Sequence, residues 1–230
     1  SDDKKKFWFR INPDARFSDG RRVTADDVIA TWFLRMDETI LYPSEQVDFD
    51  RFEEPSAESM YIVSVVTKET NWRNFKIFAY DNTVFPAYYV DQVDGSEFLE
   101  KYQFKMMPGT GPYIIKDDDI VNQESYKLTR REDFWGKDLP QNRYRYNFDA
   151  INFFVIKGND ALTFEKYKKG EFDYYEVSRS RVWVEECVPD KIKAIDKGWM
   201  KKPRVYSDKP AGTTGYGFNM RKFPFNDINI

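Results

Sequence analysis

The chain opens with a strand, two turns and a capped helix, and this order limits the folds that it can adopt. Residues 7–28 read FWFRINPDARFSDGRRVTADDV. The apolar Phe7–Ile11 predicts a strand, and the Asn-Pro-Asp and Ser-Asp-Gly runs after it predict turns. Thr24 has the chemistry of a helix N-cap, with Asp26 and Asp27 in the first turn, where the helix dipole favours negative charge. Helical spacing predicts that this helix buries the face carrying Val28, Ile29, Trp32 and Phe33.

The centre of the chain predicts four strands and a domain boundary. Met60–Thr67 is a strand candidate, and we expect Phe75–Tyr80 (FKIFAY) to be its antiparallel neighbour. Met107–Tyr113 (MPGTGPY) is the segment richest in Gly and Pro, which are the strongest breakers of regular structure. Strands are predicted after it near Tyr113–Ile115 and Ser125–Arg130. We therefore place a domain boundary at this Gly/Pro cluster.

The second half of the chain predicts a strand-helix-strand unit. Its strands are Ala150–Ile156 and Phe172–Val177, and its helix is Asp160–Lys169, which Gly170 ends. The remaining predicted elements are helical turns near Val182–Cys187 and Asp190–Lys197 and strands at Arg204–Ser207 and Thr214–Met220.

Composition excludes several classes of function. The chain has no His and a single cysteine, Cys187, so the commonest general base and metal ligand is missing and an internal disulfide cannot form. A buried or merely tolerated thiol is favoured over a nucleophile for Cys187, because the sequence has no His to activate it. The net charge of -3 argues against nucleic acid as a partner. We expect neither a cofactor nor a metal site.

Five segments in a fixed order resemble a known family. They are residues 7–28, the GTGPY run, the aromatic DFWGKDLPQNRYRYNFD, then KKGEFDYYEV, and finally GYGFNMRKFPFND. Each is weak alone, but together they resemble the family 5 extracellular solute-binding proteins, and the WGKDLPQNRYRYNFD segment is most similar to their oligopeptide-binding branch. The resemblance spans residues 7 to 227.

The resemblance implies a fold, a location and a function. It implies an α/β (α+β) fold of mixed β-sheets flanked by helices, forming part of a two-lobed periplasmic binding protein. Residues 1–108 would belong to a subsidiary small domain and residues 109–230 to the first lobe, with the second lobe beyond this chain. The function implied is a non-catalytic, monomeric, periplasmic receptor that delivers peptides or peptide-like solutes to the inner-membrane permease of an ATP-driven importer. The start SDDKKK, with no initiator Met and no apolar signal core, suggests a trimmed sequence.

The Gly/Pro cluster is predicted to carry the chain between domains. Gly109, Gly111 and Pro112 lack the spacing and the Lys-Ser/Thr pair of a phosphate-binding loop. We expect the glycines to permit unusual backbone angles and Pro112 to stiffen the exit from the crossover. The aromatic and basic segment 134–146 is interpreted as a packed surface loop rather than a stacking platform for nucleic acid.

Two segments are candidates for ligand contact. Glu176, Arg179 and Trp183 follow the predicted strand Phe172–Val177, and ligand clefts lie at such strand ends in open α/β sheets. A plain surface loop is an equally good interpretation of these three residues. Residues 211–219, AGTTGYGFN, form the second candidate, and its four proposed ligand-binding residues are Thr213, Thr214, Gly215 and Tyr216.

Alternating glycines are the reason for choosing residues 211–219. Two glycines on one face of a predicted strand indicate that a ligand or another backbone approaches closely. Packing against a helix is nearly as good an interpretation, and the resemblance favours the ligand, because the matching family strand borders the peptide site. Asn219 is predicted to brace the turn into Arg221 and Lys222.

A carbohydrate-processing hydrolase with paired carboxylates is the alternative function. Asp19, Asp26 and Asp27 could form such a pair, but turn and cap chemistry explains all three. The sequence therefore favours a binding protein over an enzyme.

Overall fold

The chain forms two compact units in a computed structural model, which describes residues 4–103, 105–177, 179–204, 206 and 215–227. The first unit runs to Lys157 and the second begins at Gly158. Each unit is described by itself below.

The described residues of the first unit form seven strands in two antiparallel sheets. The first sheet has the order β1-β3-β2, and in the second sheet β6 pairs with the three other strands. The strands are β1 (Lys6–Arg10), β2 (Ser56–Ser59), β3 (Ile62–Val66), β4 (Tyr113–Ile114), β5 (Ile120–Val121), β6 (Ser125–Arg130) and β7 (Ala150–Phe154). The strands predicted around Phe7, Met60, Tyr113, Ser125 and Ala150 are thus confirmed, with ends that differ by a few residues.

Helices cover the first sheet and connect it to the second. The α-helices of this unit are α1 (Ala25–Met36), α2 (Pro43–Phe49), α3 (Asn74–Lys76), α4 (Ala87–Val90) and α5 (Gly95–Tyr102). Shorter helical segments are the 3-10 turns Glu38–Ile40, Asp117–Asp119 and Pro140–Asn142 and the π-helix Ile77–Asp81.

The main core of the first unit lies between β3 and the helices. Val63 and Val65 of β3 are each 1% exposed and pack in one cluster with Phe49, Phe52 and Phe78. The Phe52 and Phe78 ring centroids lie 5.3 Å apart with the rings edge to face, an arrangement that adds specific attraction to the burial of apolar surface.

The strand predicted at Phe75–Tyr80 is wrong, because this segment is helical. Asn74, Ile77 and Phe78 are buried while their neighbours are exposed, and this spacing belongs to one face of a helix. In addition, β3 already pairs with β1 on one side and β2 on the other, so neither of its edges is open to a further strand.

The cap predicted for helix α1 is confirmed, and the structure gives Asp27 a second role. One Asp27 carboxylate oxygen accepts a hydrogen bond from the Thr24 backbone N–H at 2.7 Å. The other accepts one from the backbone N–H of Ala87, also at 2.7 Å, although Asp27 is only 4% exposed. Asp27 therefore caps α1 and fixes the start of α4 against it.

A second side chain of α1 repeats this connection one turn later. The Thr31 hydroxyl accepts a hydrogen bond from the Phe85 backbone N–H at 2.8 Å and donates to the carbonyl of Asp27 at 2.7 Å. The predicted buried face is partly wrong, since Val28 is buried but Phe33 is 49% exposed. The helix turns Thr31, Leu34 and Arg35 inward instead, because polar anchors to the 83–87 segment and to α2 occupy that face.

The second unit has a small core around helix α6 (Asp160–Lys168). Among the described residues of this unit, the buried ones are Phe164, Cys187 and Ile192. The helix begins at the N-cap Asn159, whose side chain accepts from the Leu162 backbone N–H, and Gly170 follows it with a φ of 78°, so the predicted helix and its stop are confirmed. The π-helix Val182–Glu186 and helix α7 (Lys193–Asp196) complete the regular elements described here.

The strands predicted after helix α6 are wrong wherever the structure describes them. Residues 172–177 and 215–220 form no strand, and neither do Arg204 and Tyr206, whereas Val205, Ser207 and Thr214 lie outside the described residues. A strand requires a hydrogen-bonding partner. In the described part of this unit no segment pairs with them, so the strand-helix-strand unit does not form. Across the described ranges, no helix combines the length and apolarity needed to cross a membrane.

Replacing Asp27 with Ala should destabilise the first unit by about 2–4 kcal/mol, because a helix cap is lost and a buried N–H is left unpaired. Asp26→Ala is the matched control, since Asp26 is exposed on the same helix turn and its loss should cost less than about 1 kcal/mol. Urea unfolding followed by circular dichroism measures both. Equal midpoints for the two variants would contradict the role of Asp27.

Gly95→Ala should also lower the free energy of unfolding of the first unit, by about 1–3 kcal/mol. A Cβ on Gly95 would lie 2.2 Å from the backbone nitrogen of Ile40, so α5 would have to move off the 38–40 turn. Gly111→Ala is the control, because a Cβ there meets no atom within 4 Å. Thermal unfolding should show a lowered midpoint for the Gly95 variant only, and a normal midpoint for it would mean that the two elements are not closely packed.

Candidate functional site

The predicted crossover, residues 109–112, is held by one buried arginine. Arg131 follows β6, and its side chain is 4% exposed. Its guanidinium donates to the carbonyls of Gly109 at 3.4 Å, Gly111 at 3.2 Å and Phe17 at 3.4 Å. Its backbone N–H donates to the carbonyl of Pro112 at 2.8 Å. These contacts fix the crossover from both ends.

Asp133 balances the buried charge of Arg131. Its two carboxylate oxygens accept from Nε and Nη2 of the guanidinium, each at 3.1 Å. This two-point geometry suits a planar guanidinium, which lysine cannot imitate. The hydrogen bond from Arg131 lowers the pKa of the Asp133 carboxyl below its usual value.

The glycines of the crossover do not have the backbone role predicted for them. Neither Gly109 nor Gly111 has a positive φ, and a Cβ on either would meet no atom within 4 Å. Their backbone angles are therefore ordinary. What the crossover supplies is a set of carbonyl groups that accept from Arg131, and any residue could supply these.

The aromatic loop after Arg131 packs as predicted over part of its length. Phe134 is 7% exposed and its ring meets that of Tyr146 edge to face at 5.9 Å. The indole N–H of Trp135 donates to the carbonyl of Thr110 at 3.0 Å, a further contact to the crossover. Tyr144, by contrast, is 87% exposed.

The second unit contains a small cleft beside helix α6, which we call the α6 cleft. Its volume is about 150 Å³. It is lined by Asp160, Ala161, Phe164, Glu165, Tyr175, Val177, Arg179, Val182 and Glu186. Of the three residues predicted from the end of the 172–177 segment, Arg179 lines the cleft and the other two do not.

An ion pair stands at the rim of the α6 cleft. Arg179 Nη2 lies 2.8 Å from Asp160 Oδ2, and both side chains are more than half exposed. Below them, Phe164 is buried and Val177 and Val182 pack against it. Burial raises the pKa of the Tyr175 hydroxyl, and the Asp160 carboxylate adds to the rise. The cleft thus has an apolar floor and a charged rim.

The other predicted residues of this segment lie outside the cleft lining. Glu176 is exposed. Trp183 donates its backbone N–H to the carbonyl of Arg179 at 3.1 Å, and Lys202 Nζ lies 4.3 Å from the centre of its ring. Trp183 is therefore engaged in a cation–π contact within the unit.

Residues 211–219 are described only from Gly215 onward, so Thr213 and Thr214 lie outside the described residues. Gly215 and Tyr216 are exposed, Tyr216 at 94%. No described atom comes within 4 Å of a Cβ built on Gly215 or Gly217, so the close approach of a backbone or a helix is not found there. Contact with a ligand stays a prediction. Asn219 does brace the following turn, because its side chain accepts from the Arg221 backbone N–H at 3.1 Å.

Cys187 is buried, as predicted. It is 7% exposed, and burial raises the pKa of its thiol above the usual value. A raised pKa keeps the sulfur protonated at neutral pH and so unreactive. Within the described ranges, no three acidic or cysteine side chains come together as metal ligands would.

Sequence reasoning missed Arg131 and Glu186, which are central to the crossover and to the α6 cleft. Arg131 is one of many basic residues, and a sequence carries no periodic signal for a buried arginine that binds distant carbonyls. Glu186 lies next to Cys187 and could have been noticed only if the helical turn there had been placed against α6.

Comparisons with known proteins agree on one family. The sequence model described as "Bacterial extracellular solute-binding proteins, family 5 Middle" matches residues 1–230. The "Putative binding protein BMEII0691" of Brucella melitensis is 30% identical over 99% of this chain and 36% of its own length. The peptidoglycan-binding protein YepA of Agrobacterium fabrum is 28% identical over 100% of this chain and 37% of its own length.

A solved structure agrees on the fold. Haemophilus influenzae OppA in complex with RPPGFSPFR matches with a TM-score of 0.67 at 20% identity, over 100% of this chain and 44% of that one. The predicted fold class, mixed α/β with sheets and flanking helices as in a periplasmic binding protein, is thereby confirmed. The chain spans little more than a third of the length of the curated relatives described above.

Arg131→Ala should destabilise the first unit by about 2–4 kcal/mol, because three carbonyls lose their donor and the crossover loses its anchor. Arg130→Ala is the control, since Arg130 makes an exposed ion pair with Asp149 that should contribute less than about 1 kcal/mol. Urea unfolding compares the two. Arg131→Lys should recover little of the loss, and a full recovery would show that charge alone, not the fork geometry, holds the crossover.

Proposed function

The chain belongs to the family 5 bacterial extracellular solute-binding proteins, and on this basis we propose that it is part of a receptor for peptides or peptide-like solutes. The receptor would work outside the cytoplasmic membrane, in the periplasm, as a monomer that delivers its solute to the permease subunits of an ATP-driven importer. Members of this family are non-catalytic receptors, so the hydrolase alternative is excluded. The roles found for Asp19 and Asp27 in turn and cap agree with this exclusion.

The family match over the whole of residues 1–230 is the observation that carries the proposal. The choice of peptides over other solutes draws support from the names of similar proteins. OppA is described with a bound peptide, and YepA as a protein that binds peptidoglycan, a polymer whose strands bear short peptides. A peptide-bearing solute is the chemistry that these two share.

We place the chain in the full receptor as follows. Residues 1–108 form part of the subsidiary small domain and residues 109–230 part of the first lobe, with the second lobe supplied by sequence outside this chain. Gly109, Gly111 and Pro112 then mark the passage between the two domains. The hydrogen bonds from Arg131 to the crossover carbonyls support a fixed passage rather than a loose linker.

Recognition in such a receptor would rest on the peptide backbone. An extended peptide offers regularly spaced N–H and C=O groups, which bind independently of the side chains, and water can bridge the rest. Thr213, Thr214, Gly215 and Tyr216 are proposed as contacts, because hydroxyls can serve either as donors or as acceptors. Glu176, Arg179 and Trp183 form the second proposed contact segment.

Calorimetry tests the proposal on the full-length receptor and on residues 1–230 in parallel. Peptides of three to nine residues and a peptidoglycan stem peptide serve as ligands, with a peptide-free glycan as the control. The full receptor should bind at least one peptide, and the isolated chain should bind it at least about 100-fold more weakly, because closure of a second lobe contributes several kcal/mol.

Two outcomes would contradict the proposal. Binding of the glycan without any peptide would show that the solute class is wrong. Equal affinity of the isolated chain and the full receptor would show that residues 1–230 hold the whole site, so that no second lobe takes part in binding.

A further inference from the structure

We propose that the α6 cleft is a subsite for an aliphatic chain that ends in a primary ammonium group, such as a lysine-like side chain of the bound solute. The cleft itself is an observation within the second unit. Its use by a solute rests on the proposed receptor function, so the two claims are tested separately below.

The walls of the cleft fit a chain of methylene groups. Phe164 is 5% exposed and forms the floor, with Val177 and Val182 packed against it. The cleft volume of about 150 Å³ is several times the roughly 30 Å³ that one water molecule occupies in the liquid, so the cleft has room for a short chain of methylene groups. Methylene groups would displace water from apolar surface here, which favours binding.

The charges around the cleft leave one carboxylate available. Asp160 is held by Arg179 at 2.8 Å, and Glu165 is held by Lys168 at 2.5 Å. Glu186 is half-buried and makes no ion pair within the described residues. A cation entering the cleft would therefore pair with Glu186.

Nearby lysines do not take this role in the structure. Burial raises the pKa of the Cys187 thiol, whereas the charges of Lys202 and Lys168 both act to lower it, and Cys187 is the neighbour of Glu186 in the sequence. Lys168, however, pairs with Glu165, and its ammonium lies 5.0 Å from the centroid of the Phe164 ring. Lys202 donates to the carbonyl of Trp183, and its ammonium lies over the Trp183 ring. Both cations are thus engaged with other groups, and the Glu186 carboxylate is left for a cation from outside.

The aromatic rings of the cleft favour the same chemistry. Tyr175 lines it, with its ring centroid 5.7 Å from that of Phe164. The faces of such rings attract cations and do not attract carboxylates. Among the described side chains that line the cleft, Arg179 is the cationic one, and its pairing with Asp160 makes it a poor partner for an anionic ligand.

A direct test uses residues 1–230 and small probes, without any peptide. The ¹⁵N-labelled chain is titrated with n-pentylamine, n-pentanol and pentanoate, and amide shifts are followed at Phe164, Val177, Val182 and Glu186. Pentylamine should bind most tightly, and Glu186→Gln should weaken it about tenfold without changing pentanol binding, because a partly desolvated ion pair is lost. Glu185→Gln is the control, since Glu185 pairs with Arg181 outside the cleft lining.

Several outcomes would overturn the inference. Equal binding of pentylamine and pentanol would show that Glu186 selects nothing, and tightest binding of pentanoate would assign the cleft to anions through Arg179. An equal loss in the Glu185 and Glu186 variants would point to a general change of charge.

A second test separates the subsite from the receptor function. The full-length receptor is titrated with alanine-rich peptides that carry either lysine or its uncharged isostere norleucine at each position in turn. One position should prefer lysine about tenfold, and Glu186→Gln should abolish this preference while norleucine peptides still bind. Peptide binding with no such preference would overturn the subsite and leave the receptor function standing, whereas pentylamine binding without any peptide binding would do the reverse.

Discussion

One buried guanidinium holds together segments of the first unit that are distant in the sequence. Arg131 reaches the carbonyl of Phe17, which comes early in the chain, and those of Gly109 and Gly111 in the crossover. A charge with so little exposure is stable only when its donors are paired, so these segments must stay together for Arg131 to stay buried. Trp135 adds to the constraint, because it packs against the cluster around Phe17 and donates to Thr110.

The sequence predicted the elements whose signals are local. Thr24 and Asp27 cap α1 through contacts between residues three positions apart, and Gly170 ends α6 with a positive φ. Both features therefore depend on residues that are close in the sequence. The strand prediction for residues 75–80 is wrong because it follows the aromatic composition, which is typical of strands. The buried residues Asn74, Ile77 and Phe78 instead follow the helical period. The helical period of the buried residues, and not the aromatic composition, agrees with the observed structure.

The candidate site was harder to predict, because its residues depend on contacts that are distant in sequence. Arg131 binds a carbonyl 114 positions away, and no pattern along the chain indicates such a bond. Arg179 is a predicted contact residue because it follows the predicted strand Phe172–Val177. It lines the α6 cleft although the strand does not form, since the helical turn at 182–186 brings it beside Asp160.

The two units differ in how much apolar surface they bury. Among the described residues, the first unit has three buried clusters, whereas the second has one, formed by Phe164, Cys187 and Ile192. The second unit leaves Tyr174, Trp199 and Tyr216 more than three-quarters exposed. The free energy of unfolding grows with the apolar area removed from water, so we expect the second unit to be less stable on its own than the first. A ligand that filled the α6 cleft would add contacts to Phe164 and Val182, which belong to the small core itself. Binding there would stabilise the unit that holds the cleft, and the stability of the second unit and its affinity for a solute are thereby coupled.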